Sequence, residues 1–331
     1  MLFLHTLQHF TVDGICGAVL AAYAVNESYF EPIAYYFGLY NLIAFGSQWL
    51  IGYLLDRKFN LIGHAFLVSL ITLALGTISE LGILCQTILL GIGNSLFHVA
   101  GGSLVLRKYK TYKELGIFVS SGAIGLALGL NLLCNAIVFL LFYAAITLIV
   151  FYRLRRGHVD IEVQSEAIDN KYVGFPLIAM LGCIILLLGC VVLRGFGGGN
   201  SVSDYVMLFP CVFAAGKVLG GICCDKIGYK NTIILIFLLS FLSLQWKGLI
   251  PIVILTLAFN MTMPLTLRLV HFCNPNYPGM MFGLAAGCLL PGAFFHNDFS
   301  VIPQAMVVIQ FLTLFIAGWL FKTYNQRQVV L

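Results

Sequence analysis

Gly52-Tyr53-Leu54-Leu55-Asp56-Arg57 and Gly221-Ile222-Cys223-Cys224-Asp225-Lys226 are two copies of one pattern, Gly-x-x-x-Asp-basic, set 169 positions apart. Each copy follows one apolar stretch and precedes another. One such string is weak evidence, but two at equivalent places in two apolar halves mark an internal duplication. A duplicated set of membrane helices decides the fold before any single residue is interpreted.

Composition agrees. Hydrophobic residues make up 60% of the 331 and charged ones 9%, against roughly 45–50% and 25% in soluble domains. A water-soluble surface cannot be built from this chain, and the bilayer is its partner. The net charge of +5 does not point to nucleic acid, because the Lys and Arg sit in short inter-helix loops and not on a patch. The first apolar stretch lacks a basic leader, contains Asp13 and runs past the usual signal-peptide length, so it reads as a retained helix. Ten cysteines lie mostly inside apolar stretches, among them Cys183, Cys190, Cys223 and Cys288. Neither a disulfide framework nor a zinc site is indicated, and no cofactor is expected.

Apolar runs fall near 2–25, 32–55, 60–79, 81–106, 114–132, 135–152, 172–194, 202–223, 229–246, 249–268, 277–295 and 301–322. The expectation is an all-α polytopic membrane protein with twelve transmembrane helices in two parallel six-helix repeats. Residues 1–152 form the N-terminal bundle, 153–171 a polar cytoplasmic linker, and 172–331 the C-terminal bundle. With the N-terminus inside, fifteen of the eighteen Lys and Arg fall on the cytoplasmic side, which orients both termini inward. Six spans return the chain to its starting side, so the repeats are parallel about an axis along the membrane normal and a central site lies between them. In a prokaryote this is the inner membrane.

These residues resemble the major facilitator superfamily, whose 6+6 fold carries a Gly-x-Leu-Ala-Asp-Arg-x-Gly-Arg-Lys loop between helices 2 and 3 and a weaker copy between helices 8 and 9. Gly52, Leu54, Asp56 and Arg57 match the first copy, where Phe59 replaces the second Gly and Asn60-Leu61 replace the closing basic pair. Gly221, Asp225, Lys226, Gly228 and Lys230 match the second, which is the fuller. The resemblance implies a cytoplasmic gate at these residues, with Asp225→Asn impairing transport at least as much as Asp56→Asn. It also implies alternating access and function as a monomer. His9-Phe10-x-x-Asp13 and Gly93-Asn94-Ser95-Leu96-Phe97-His98 are similar to the fosmidomycin-resistance-like exporters, although Val99-Ala100 stand where those relatives often have Pro-Glu.

Chemistry is sparse inside the spans. Asp13 sits about 16 Å into a core about 30 Å thick, so its carboxyl must be protonated or face a wet cavity. His9 is one turn away on the same face, and counting along helix 4 brings His98 to a similar height and Asn94 near Asp13. Asp13, His9 and His98 are therefore candidates for proton coupling, as imidazoles titrate near neutrality. The bland alternative is interhelical hydrogen bonding. Lys217, about 12 Å deep, has three readings: attracting an anionic substrate, pairing with an acid such as Asp13, or snorkelling to the surface. Arg194 either guides anions or anchors at the interface. Asn41, Gln48, Asn94 and Asn260 contact either substrate or neighbouring helices. Gly116, Gly122, Gly125 and Gly129 read as a packing and rocking surface.

The leading functional expectation is a secondary active transporter of a small solute, proton-coupled, with efflux slightly favoured over uptake. A non-transporting sensor or scaffold is the alternative on the same fold. An intramembrane serine peptidase at Ser120-Ser121-Gly122 is disfavoured by the matched halves, so the chain is not expected to be an enzyme. A haem carrier is disfavoured because no axial histidine pairs share a helix.

Overall fold

A computed structural model describes residues 1–25, 30–156, 177–197, 206–291 and 303–324. Most of the expected linker, with Lys171 and Arg327, lies outside the described residues. All the regular secondary structure among the described residues is helical. In chain order the helices are α1 (Leu2–Ala24), α2 (Phe30–Gly46), α3 (Gln48–Arg57), α4 (Ile62–Gly76), α5 (Gly82–Lys108), α6 (Tyr112–Leu130), α7 (Ala136–Arg155), α8 (Leu177–Gly197), α9 (Leu208–Ser243), α10 (Leu249–Cys273), α11 (Pro278–Gly287) and α12 (Pro303–Tyr324). Away from their ends, helices satisfy their backbone groups within their own segment, which hydrocarbon demands.

Eight segments among the described residues are long and apolar enough to cross a bilayer, fewer than the twelve expected. The difference has local causes. Gln8, His9 and Asp13 lower the hydropathy of α1. The second apolar run is interrupted at Ser47, whose hydroxyl donates to the Ile43 carbonyl at 2.6 Å, a back-bond that competes with the helical ladder and bends it. α9 is one helix only in name: its 36 residues would reach about 54 Å, and Gly228 breaks it with φ 80° and ψ 161°. α11 stops at Gly287, and residues 292–302 are outside the description.

The Gly228 break explains how the two loop copies differ. A left-handed φ of this kind suits glycine alone, so the second copy turns on a single residue. In the first copy Phe59 occupies the matching position, and the chain turns through a 3₁₀ segment at Phe59–Leu61 instead.

Packing separates two main clusters. One gathers Val12, Phe66, Phe97, Phe118, Tyr143 and Val150, and the other Cys183, Leu187, Ile233, Leu265, Leu269 and Phe321. Outward faces carry bare apolar side chains, including Leu141 and Phe142 on α7, Ile185 on α8 and Trp319 on α12. Such a belt is tolerable only against lipid. The clusters meet most extensively at two crossings, α3 with α11 and α6 with α9. These crossings are related by the same repeat that relates the two loops.

Candidate functional site: a histidine-carboxylate cluster beneath a two-carboxylate latch

α1 is buried along most of its length between α6, α7 and α5. It brings His9 and Asp13 to one spot, and α5 brings Asn94 and His98 to the same spot. Asn94 Nδ2 donates to Asp13 Oδ1 at 2.9 Å. His9 Nε2 lies 3.3 Å from Asp13 Oδ2, and His98 Nε2 lies 3.6 Å from Asp13 Oδ1. The two rings meet at 2.9 Å, Nε2 to Nε2.

The other ring nitrogens define the protonation. His9 Nδ1 faces the Phe118 carbonyl at 2.8 Å, and His98 Nδ1 faces the Asn94 carbonyl at 2.9 Å. A carbonyl only accepts, so both Nδ1 atoms carry hydrogen and donate. Two neutral rings would then point bare lone pairs at each other across 2.9 Å. One additional proton turns that contact into an N–H···N hydrogen bond. The geometry therefore accommodates one shared proton, with the Asp13 carboxylate as its counter-charge.

The same three side chains offer metal-ligand atoms within 4.8 Å of one another. A tetrahedral ion with bonds of about 2.05 Å holds its nitrogens about 3.3 Å apart. The 2.9 Å contact is short for that and right for a proton. Lys217 and Arg194 line the same cavity and add positive charge, which also disfavours a cation.

Gly122 makes the cluster possible. A Cβ there would run into Asp13 Oδ2 and His9 Nε2, so only glycine lets α6 press against both. Gly125 and Gly129 likewise approach the α1 backbone, whereas Gly116 faces the Lys217 carbonyl in the other half. The expected rocking surface thus divides: one glycine is at the crossing between halves, and three hold α1 to α6.

The cluster forms one wall of a cavity of about 360 Å³. Lys217 of α9 and Arg194 of α8 stand on the same wall system, and Phe45, Leu126, Phe213, Met263, Leu267 and Phe282 supply apolar lining. Asn94 is buried behind Asp13. Asn41, Gln48 and Asn260 lie off the cavity wall: Gln48 donates to the Ala44 carbonyl and Asn260 to the Thr256 carbonyl, each within its own span.

At one end of the bundle each loop carboxylate reaches across to the other half. Asp56 Oδ1 accepts from Gly279 N–H at 3.0 Å and Oδ2 from Met280 N–H at 2.9 Å. Asp225 Oδ1 accepts from Tyr112 N–H at 3.0 Å and Oδ2 from Lys113 N–H at 2.8 Å. α11 and α6 have no side-chain cap of their own, so each helix start is capped from the opposite repeat. Gly52 permits this approach, since a Cβ there would strike the Gly279 carbonyl, and Gly221 does the same against Tyr112.

Of the two carboxylates, Asp56 is the more deeply held. Arg107 donates to Asp56 at 2.8 Å, and the Asp56 side chain is 1% exposed. Arg107 also stacks on Phe59 at 4.9 Å, so the residue that replaces glycine helps hold the arginine. Asp225 is exposed and bonds to two backbone amides only. Arg57, Lys226 and Lys230 are exposed and outside the latch; Arg57 bonds to Tyr53 of its own helix, which stacks on Tyr277 across the crossing.

Arg268 is one of the fifteen basic residues that the sequence places on the cytoplasmic side, where it serves only as a marker of orientation. It is 1% exposed, and its guanidinium donates to the carbonyls of Tyr109 at 2.6 Å, Thr111 at 2.8 Å and Leu106 at 3.4 Å. It closes the C-terminal end of α5 from the opposite half. The available signal was its isolation, as Arg268 is the single Asp, Glu, Lys or Arg in α10.

No family model and no curated protein matches the chain. Solved structures do share its fold. The human organic anion transporter MFSD10 (TETRAN) aligns with a TM-score of 0.68 at 14% identity, over 96% of this chain and 97% of that one. The major facilitator superfamily proton:xylose symporter XylE, bound to 6-bromo-6-deoxy-D-glucose, aligns at 0.62 and 14%, over 98% and 96%. The E. coli fucose:proton symporter FucP aligns at 0.62 and 12%, over 99% and 98%. The chain thus has the major facilitator fold, and its apolar helices make it an integral, multi-pass membrane protein.

Proposed function

We propose that this chain is a proton-coupled secondary transporter of a small solute, working by alternating access. In this reading twelve spans form two six-helix halves joined by the 153–171 linker, both termini are cytoplasmic, and the Asp56–Asp225 face is the cytoplasmic gate, here latched. Two of the similar structures are described as proton symporters, which supports the coupling. The observation that carries it is the His9–His98 contact, a ring pair that needs one proton beside one carboxylate on a cavity wall.

The pair works as a proton-dependent joint. With the proton bound, His9 and His98 are held together and Asp13 is neutralised. Without it, the facing lone pairs and the charged carboxylate at membrane depth become costly, so loss of the proton weakens the α1–α5 contact inside the N-terminal half and alters the cavity wall. The cavity and latch change together if the halves move as rigid bodies. Export, implied by the fosmidomycin-resistance-like resemblance, and uptake differ in the sign of linkage between proton and solute.

Purified protein in liposomes under an imposed pH gradient tests the reading. Solute movement should follow the gradient, and Asp13→Asn should abolish both proton movement and solute accumulation. Proton movement that survives Asp13→Asn with unchanged accumulation would sink it. A chain that moves no solute under any gradient is the sensor or scaffold alternative.

A further inference from the structure

The C-terminal wall of the cavity holds two cations that form no ion pair with any of the described residues. Arg194 is 5% exposed, and its polar side-chain partner among the described residues is the neutral hydroxyl of Thr266 at 3.2 Å. A guanidinium carries five N–H donors, so one hydroxyl leaves most of them for the cavity. Lys217, on the same lining, takes part in no ion pair among the described residues, where the pairs involve only His9, His98, Asp13, Arg107 and Asp56. Among the described residues Asp13 is the one carboxylate on the lining, and it is already engaged by His9, His98 and Asn94.

An ammonium at membrane depth without a counter-charge is expensive, and intramembrane charges mark substrate paths. The remaining lining is mainly aliphatic and aromatic, and about 360 Å³ is at the small end of ligand pockets. We infer that the cavity takes a small organic anion with an apolar body, its charged end at Lys217 and Arg194, and that this anion binds together with the proton.

The second half of the inference follows from charge. A proton shared by His9 and His98 adds positive charge to the cavity that holds Lys217 and Arg194. Anion and proton then raise each other's affinity, and the coupling is reciprocal. A cationic solute would have the opposite sign and would exchange with the proton. The inference rests on the carrier reading above and turns it toward co-transport, which runs as uptake when the proton gradient points inward.

The test is equilibrium binding to the full chain in lipid nanodiscs. The probes are short- to medium-chain and phenyl-terminated carboxylates, each with its matched amide and amine, at about pH 6 and about pH 8, either side of the imidazole range. At least one carboxylate should bind about tenfold or more tighter than its amide, and about fivefold or more tighter at the lower pH. Its amine should not compete. Lys217→Met should retain a thermal transition at or above the wild type, because it removes an unpaired charge, yet lose the carboxylate preference. Arg194→Gln gives an independent second reading of the same loss.

Amides binding as well as carboxylates, amines binding better, or no probe binding at all would overturn the anion site. Carboxylate affinity that rises with pH would overturn the co-transport half. Liposomes with an imposed pH gradient separate the two levels. Gradient-driven accumulation of amides or amines without carboxylate preference leaves the carrier standing and removes the anion. Carboxylate binding without any accumulation keeps the site and removes carriage.

Discussion

Asp56→Asn is the sharpest perturbation of the latch, because the change is one atom and the surroundings are known. The carboxylate accepts two amides of α11 and one Arg107 N–H. An asparagine oxygen keeps one amide and turns an NH₂ against the other, which costs about 1 kcal/mol as a lost cap. Arg107 also loses its counter-charge. Breaking a fully buried pair costs about 3–5 kcal/mol, but the Arg107 side chain is 18% exposed, so about 1–2 kcal/mol is reasonable here. The sum, about 2–3 kcal/mol, moves the latched–unlatched equilibrium roughly 30- to 150-fold. Asp225→Asn breaks one amide bond at an exposed site with no arginine, about 1 kcal/mol or roughly fivefold. The assay is hydrogen exchange at Tyr112 and Lys113, whose amides bond to Asp225 and are untouched by the Asp56 change. If the halves open as rigid bodies, protection at Tyr112 and Lys113 falls by the same large factor in Asp56→Asn. Faster exchange confined to Gly279 and Met280 refutes the rigid-body latch, and a larger effect from Asp225→Asn refutes the burial ranking.

Two further substitutions probe the parts that the latch does not reach. Gly122→Ala should cost about 1–3 kcal/mol from overpacking and uncouple solute from proton in liposomes, while Gly189→Ala, which meets nothing within 4 Å, should leave both unchanged; equal behaviour of the two would exclude the tight α1–α6 contact. Arg268→Met should speed exchange at Tyr112 and Lys113, and Arg268→Lys should not restore the wild-type rate, because an ammonium is not a planar fork spanning three carbonyls. Wild-type exchange in the lysine variant would remove Arg268 from the closure.

The parts of this molecule that were legible in sequence are those written in spacing. Two equivalent Gly-x-x-x-Asp strings and long apolar runs point to the all-helical membrane class, and i,i+4 spacing joins His9 to Asp13. Depth counting brought His98 and Asn94 to the same level. Partners across helices are a different matter, since periodicity reports a residue's face and depth but not what stands opposite. It could not tell whether Lys217 snorkels or turns inward, nor that Gln48 and Asn260 bond away from the cavity. Motif completeness carries no information about burial, and the burial of Asp56 depends on Arg107 and Phe59, which belong to no shared pattern. Arg268 illustrates the same limit: a basic residue near a helix end looks like an orientation marker until its three carbonyl acceptors are seen.

The latch has one more consequence. What Asp56 and Asp225 grip is main chain: the N–H groups of Gly279, Met280, Tyr112 and Lys113. Every residue but proline offers that group. The receiving side of the lock is therefore chemically anonymous. Mutation is free to change the side chains at these four positions, as far as steric room allows, without altering what the carboxylates hold. Chains built this way can diverge widely at the N-terminal ends of α6 and α11 and still be bridged in the same way, with only two acids and a few small residues left as a visible trace.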